Sequence, residues 1–145
     1  VLDRWVLSRL TAVEAEVDAA LQRFDATAAA RLLMDFVTED VANWYVRLSR
    51  ARFYEVDGDD NRAAFATLHE VLVVTSRLLA PFAPFIADWI HHELTGESVH
   101  LADFRRPAAA VQRDAALEAA MSAARTLATL GRAARETAGI KVRQP

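Results

Sequence analysis

Leu2, Val6, Leu10, Val13, Val17, Leu21 and Phe24 recur at spacings of three and four, with Asp3, Arg9, Glu14 and Glu16 at other positions around them. That period belongs to an amphipathic helix and predicts a first helix over 2–23. Trp5 lies beside the stripe, where an indole serves as a core anchor. Asp25 can then cap the free N–H groups of a second helix, whose apolar face continues through Leu32, Leu33, Phe36 and Val37. Neither Gly nor Pro interrupts the chain from there to Phe53. The pattern therefore predicts one long helix, with a bend near residues 38–40, where side chains compete for backbone hydrogen bonds.

On that second helix Val37, Val41, Trp44, Leu48 and Ala51 fall on one stripe and Asn43, Arg47, Arg50 and Tyr54 on the next. The first stripe is expected inward and the second in solvent, with Arg52 and Phe53 extending the outer surface to the helix end. Residues 55–61, EVDGDDN, form a loop. Its acids resemble half of a calcium loop but lack the Gly and the terminal Glu at the required spacing, so no metal is expected there. A third helix is predicted over 62–79, with Phe65, Leu68, Leu72, Thr75 and Leu79 on one face. Pro81 and Pro84 force a break and a restart. The fourth helix carries Ile86, Trp89, Ile90 and Leu94 and ends near Gly96.

Residues 98–104, SVHLADF, read as an extended strap, and 105–112 as a polar connection. The last helix is predicted over 114–137, with Leu117, Ala120, Ala124, Leu127 and Leu130 or Gly131 on its inner face. Gly139 closes it, and IKVRQP leaves as a basic tail. Trp5, Trp44, Phe82, Phe85 and Trp89 are assigned to the core. The fold class is all-α: a helical bundle of about five helices, with a Pro-broken third and fourth helix pair and an extended strap before the last. Residues 1–138 form the helical domain and 139–145 the start of a linker, so the chain reads as a piece of something longer.

Composition narrows the function classes. With 145 residues, four Gly and four Pro, the chain has material for one domain of long elements. It has no cysteine, which excludes disulfides and thiolate metal sites. No apolar run approaches a membrane span, and no signal peptide opens the sequence, so a cytoplasmic location without membrane contact is expected. A net charge of −3 argues against a generic nucleic-acid binder, so any attraction to RNA must be local. Of the 17 basic residues only Lys141 is a lysine. Arg makes bidentate phosphate contacts and stacks on bases, although a GC-rich coding sequence also favours Arg and Ala.

Reactive groups do not converge. His92-Glu93 has Gly96 where a zinc protease motif needs a second His, and adjacent His91 and His92 point to different helix faces. The glycines are scattered, so there is no phosphate-cradling loop, and no serine carries a nucleophile signature. No catalytic residue and no metal ligand is assigned. What remains is the surface of Asn43, Arg47, Arg50, Arg52 and Tyr54. A solvated basic helix face explains it, and so does a platform for phosphates carrying unstacked bases.

Four segments in order, NWYVRLSRARF, LLAPFAPFIAD, SVHLADF and KVRQP, carry a resemblance, joined by LDRWVLSRL and FDATAAARLLMDFV. Together they resemble the helical anticodon-binding domain of the isoleucyl-tRNA synthetase family, in the class I group of aminoacyl-tRNA synthetases. The resemblance covers nearly the whole chain and is weakest over 105–116. It implies a parent enzyme, isoleucine–tRNA ligase, that activates isoleucine with ATP and joins it to tRNA. The family's nucleotide-binding signatures, editing domain and C-terminal zinc segment lie outside this stretch, so the piece should be inactive alone and hold no cofactor, with ATP and zinc left to the parent. Its implied partners are the tRNA anticodon stem-loop and the remaining domains of the synthetase. Asn43, Arg47, Arg50, Arg52 and Tyr54 become RNA contacts, with Arg132, Arg135, Lys141 and Arg143 as second choices. Relatives often read RRSRRRFW where this chain has RLSRARFY; Leu48 and Ala51 remove two charges at positions expected to face inward. The alternatives are the same domain of a valyl-tRNA synthetase, or a helical protein-interaction module.

Overall fold

Periodicity of three and four produces helices throughout the computed structural model, which describes residues 1–55, 58–104 and 112–140. The described residues hold six α-helices and no strand: α1 Leu2–Gln22, α2 Ala26–Asp35, α3 Arg50–Tyr54, α4 Asp59–Leu79, α5 Pro84–Thr95 and α6 Ala115–Thr137. An 11-residue π-helical segment, Phe36–Val46, follows α2, and a 3₁₀ turn, Val99–Leu101, lies in the strap. The chain divides into two compact units, Val1–Arg113 and Asp114–Pro145.

In the first unit α1 is the central element. It buries Val6, Leu10, Val13 and Val17 of the predicted stripe, with Trp5 beside them, against α2, the π segment and α4, while Leu2 and Leu21 are half-buried and Phe24 is exposed. Its C-terminus closes in a Schellman arrangement: the Phe24 N–H donates to the Leu21 carbonyl and the Asp25 N–H to that of Ala20. Phe24 sits at the left-handed position of this motif, φ 59°, where glycine is usual. Asp25 then caps α2, its Oδ1 accepting from the Ala28 N–H at 2.9 Å.

The long second helix is not uniform. From Phe36 its backbone bonds run to the fifth residue rather than the fourth, so the inward stripe advances more slowly than in an α-helix. The buried positions are Leu33, Phe36, Asp40, Val41, Tyr45 and Ser49. Continued with α spacing, the stripe through Leu33, Phe36 and Asp40 would pass through positions 43, 47 and 50. The π winding brings Tyr45 and Ser49 inward instead and leaves Asn43, Arg47 and Arg50 in solvent. The expected inner stripe is corrected accordingly: Val41 is buried and Trp44 half-buried, but Val37, Leu48 and Ala51 are exposed.

The inward face of α4 is likewise displaced from the expected one. It consists of Ala64, Thr67, Val71, Val74 and Leu78, one residue back from the predicted Phe65, Leu68, Leu72, Thr75 and Leu79. Both stripes are apolar at the same period, and the smaller side chains are the ones packed at the interior. Leu72, Thr75 and Leu79 instead line an open apolar groove of about 380 Å³ with Leu33, Met34 and Val37.

Pro84 starts α5 and Gly96, φ 79°, stops it. This helix buries only Ala87 and His91, one turn apart, so the core assignment of Phe85 and Trp89 is wrong. They are 91% and 62% exposed, and Phe82 is half-buried. An apolar helix with aromatic residues on several sides cannot bury all of them against one neighbour. His91 is a structural histidine: its Nδ1 lies 2.8 Å from the Ser76 hydroxyl, while His92 is exposed. The strap is extended at Ser98 and Ala102 around its 3₁₀ turn. Asp88 anchors it, its Oδ1 accepting from the Ser98 hydroxyl at 2.6 Å and the Val99 N–H at 2.9 Å.

In the second unit Asp114 caps α6, accepting from the Leu117 N–H at 2.9 Å. Gly139, φ 67°, ends that helix in another Schellman arrangement, with the Ile140 N–H on the Arg135 carbonyl.

Candidate nucleic-acid interface

Ser49 divides the basic stretch. Arg47 and Leu48 complete the turn that leaves the π segment, and Ser49, fully buried with ψ near 2°, bends the chain before α3 starts, its N–H still donating to the Tyr45 carbonyl. α3 has five residues, none of them buried. A single turn of that length does not persist in water, so tertiary contacts must hold it.

Two of its residues make those contacts. The Arg52 guanidinium forks onto Asp3 of α1, Nη1 donating to Oδ1 and Nη2 to Oδ2, each at 2.8 Å. Its Nε donates to Asp60 Oδ2 at 2.8 Å, Nη2 also reaches the Asp60 carbonyl at 3.2 Å, and Nη1 the Ser49 hydroxyl at 3.5 Å. Every N–H group that a guanidinium carries thus has an acceptor. The Asn61 amide donates to the Arg52 carbonyl at 2.8 Å. The ring of Phe53 lies edge-on between Tyr45, centroids 6.5 Å apart, and Phe65 at 5.1 Å.

The electrostatics follow from this geometry. The Arg52 N–H groups hold the Asp3 carboxyl below its ordinary range, against the opposing effect of burial. Asp3 in turn raises the already high value of Arg52, so this charge is fixed. The pattern along the helix makes Arg52 an RNA contact; the structure gives its donors to carboxylates instead, and its side chain is 17% exposed.

Arg47 and Arg50 stand differently. Both are exposed, and among the described residues neither enters an ion pair. The Arg50 guanidinium carbon lies 5.9 Å from the centre of the Tyr54 ring, and Tyr54 is 73% exposed. Asn43 is exposed, its amide 3.3 Å from Glu39 Oε1. Leu48 and Ala51, the two positions without the expected charge, are also at the surface. The arrangement offers two unneutralised guanidiniums, a phenol face and an amide on one short run of chain. Such a set suits phosphates and unstacked bases.

Arg132 and Arg135 lie on α6 in the second unit, and Lys141 and Arg143 fall outside the described residues. Sequence reasoning missed Asp3, Tyr45, Asp60 and Asn61. Asp60 and Asn61 follow Arg52 by only eight and nine positions, and an acidic loop beside RARF was the available signal. The Asp3 partnership spans 49 positions and leaves no local trace. Among the described residues no three His, Asp or Glu side chains converge as a metal site would require.

A family model described as the anticodon-binding domain of tRNA ligase matches residues 3–145. An isoleucine–tRNA ligase from Porphyromonas gingivalis is 46% identical over 147 residues, covering 99% of this chain and 13% of the relative. The isoleucine–tRNA ligase of Deinococcus radiodurans shows the same identity and coverage. That of Thermus thermophilus is 43% identical over 152 residues, covering 99% of this chain and 14% of its own length. The chain therefore spans about one-seventh of the length of these curated relatives.

Proposed function

Because the chain belongs to the family of anticodon-binding domains of tRNA ligases, we propose that it grips the anticodon stem-loop of an isoleucine tRNA. The observation that carries this reading is the exposure of Arg47 and Arg50, without ion-pair partners among the described residues, with Arg50 over the ring of the exposed Tyr54. Arg47 and Arg50 meet phosphates. Tyr54 stacks on a base, and Asn43 bonds at the edge. Arg52 is not a contact in this scheme. Arg132, Arg135, Lys141 and Arg143 are second-choice contacts.

The parent protein is an isoleucine–tRNA ligase of the cytoplasm, using ATP, and its other domains are the second partner. The names of the relatives favour isoleucine over valine. Catalysis, and the ATP and zinc that serve the parent, belong to those other domains. This chain does not fit a thiolate zinc site, having no cysteine. Among the described residues no helix is long and apolar enough to cross a membrane. Titration of the chain with an isoleucine anticodon stem-loop at several salt concentrations tests the reading: binding should weaken steeply with salt, and salt-independent binding would overturn it.

A further inference from the structure

Building on the RNA-binding reading above, we propose that Arg52 is a positioning residue: its fork onto Asp3 and Asp60 fixes the orientation of α3, so that Arg50 and Tyr54 meet RNA already ordered. Beyond the fork, the helix is held by the Phe53 ring contacts and the Asn61 bond to the Arg52 carbonyl. It is entered through the bend at Ser49 and left through an extended Glu55, φ −70° and ψ 135°. None of its residues is buried, and Phe53 supplies its ring contacts from a half-buried position. The fork joins α3 to α1 through Asp3 and to the first turn of α4 through Asp60. Two planar groups bonded at two points restrict rotation as well as distance, which a single contact does not.

Arg50 and Tyr54 lie two positions to either side of Arg52, so the direction of α3 sets where both side chains point. A loose α3 would have to be ordered when RNA binds, at a cost in affinity; an α3 already held avoids it. The two carboxylates that do the holding are themselves unfavourable neighbours for phosphate. Their presence beside an RNA surface is accounted for by what they hold.

That opposition supplies the test. Removing a negative charge near an RNA surface should tighten binding on electrostatic grounds alone, whereas loss of positioning should weaken it. Asp3→Asn, Asp60→Asn and Arg52→Gln chains are titrated with the isoleucine anticodon stem-loop across a salt series. Asp3→Asn and Asp60→Asn are expected to weaken binding by about tenfold, the effect of one charge-assisted interaction with RNA that is no longer held in place. Arg52→Gln should do the same, with the slope of log K against log salt shallower by at most the one phosphate contact of Arg50, about 0.7. Adding Arg50→Ala to Asp3→Asn should cost less than Arg50→Ala costs alone.

Hydrogen exchange separates positioning from general damage: residues 50–54 should lose protection while α1 and α4 keep theirs. Should Asp3→Asn prove too unstable to measure, Asp60→Asn, whose carboxylate is largely exposed, gives the same comparison. Binding equal to or tighter than wild type in the aspartate variants overturns the positioning role and leaves the RNA reading standing. A wild-type chain without salt-dependent binding overturns the RNA reading itself.

Discussion

The hydroxyl of Tyr45 donates to Oδ1 of Asp3 across 2.8 Å, joining the π-helical segment to the first turn of α1. The same carboxylate receives the Arg52 fork. One side chain near the chain's start therefore fixes both the element before Ser49 and the element after it. Burial and the neighbouring carboxylate hold the Tyr45 phenol protonated well beyond its ordinary range.

The surface that results makes the first prediction. Arg47→Ala and Arg50→Ala together should make the salt slope of stem-loop binding shallower by about 0.7 for each phosphate left without its guanidinium. Circular dichroism should show unchanged helicity. A fall in helicity would mean that these side chains serve the fold.

Stability should depend on pH in three separable ways. Burial, with Arg77 adding to it, lowers the proton affinity of His91, so its contribution is complete above about pH 6.5 and is lost as the unfolded chain takes the proton below that. Asp3, held down by Arg52, contributes fully above about pH 4 and loses that contribution as pH falls through its folded value. Tyr45, raised by burial and Asp3, contributes below about pH 10 and less above it. Urea midpoints across pH should show these limbs; His91→Gln and Tyr45→Phe should each remove one, and Asp3→Asn should remove its own and shrink that of Tyr45.

Phe24 holds a left-handed conformation with 96% of its surface exposed. Replacing it by Gly removes that strain and little packing, and should raise stability by about 1 kcal/mol in a denaturant titration. A loss of stability would show that the ring is packed against something.

Two tryptophans should behave oppositely. Trp5 is 2% exposed, and Trp5→Ala should cost about 3–5 kcal/mol. Trp89 is on the surface, and Trp89→Ala should stay within about 0.5 kcal/mol of wild type. Thermal or urea unfolding of the two variants checks both.

Local chemistry was enough to read much of the fold. The period of α1, the Asp25 cap, the Pro84 start and the Gly96 and Gly139 stops are short-range matters, decided by backbone hydrogen bonds and allowed dihedrals within a few residues. The family resemblance of the segments that carry Arg47 and Arg50 was legible in the same way, although the outward placement of these two side chains rests on the π winding. Tertiary structure decided the rest. Which of two equally apolar stripes on α4 turned inward depended on what α1 could accommodate. The π winding past Phe36 set Tyr45 and Ser49 inside instead of Leu48 and Ala51. The role of Arg52 depended on Asp3, 49 positions away, because ion-pair partners are chosen by distance in space, and the residue pattern along a helix records only its own period.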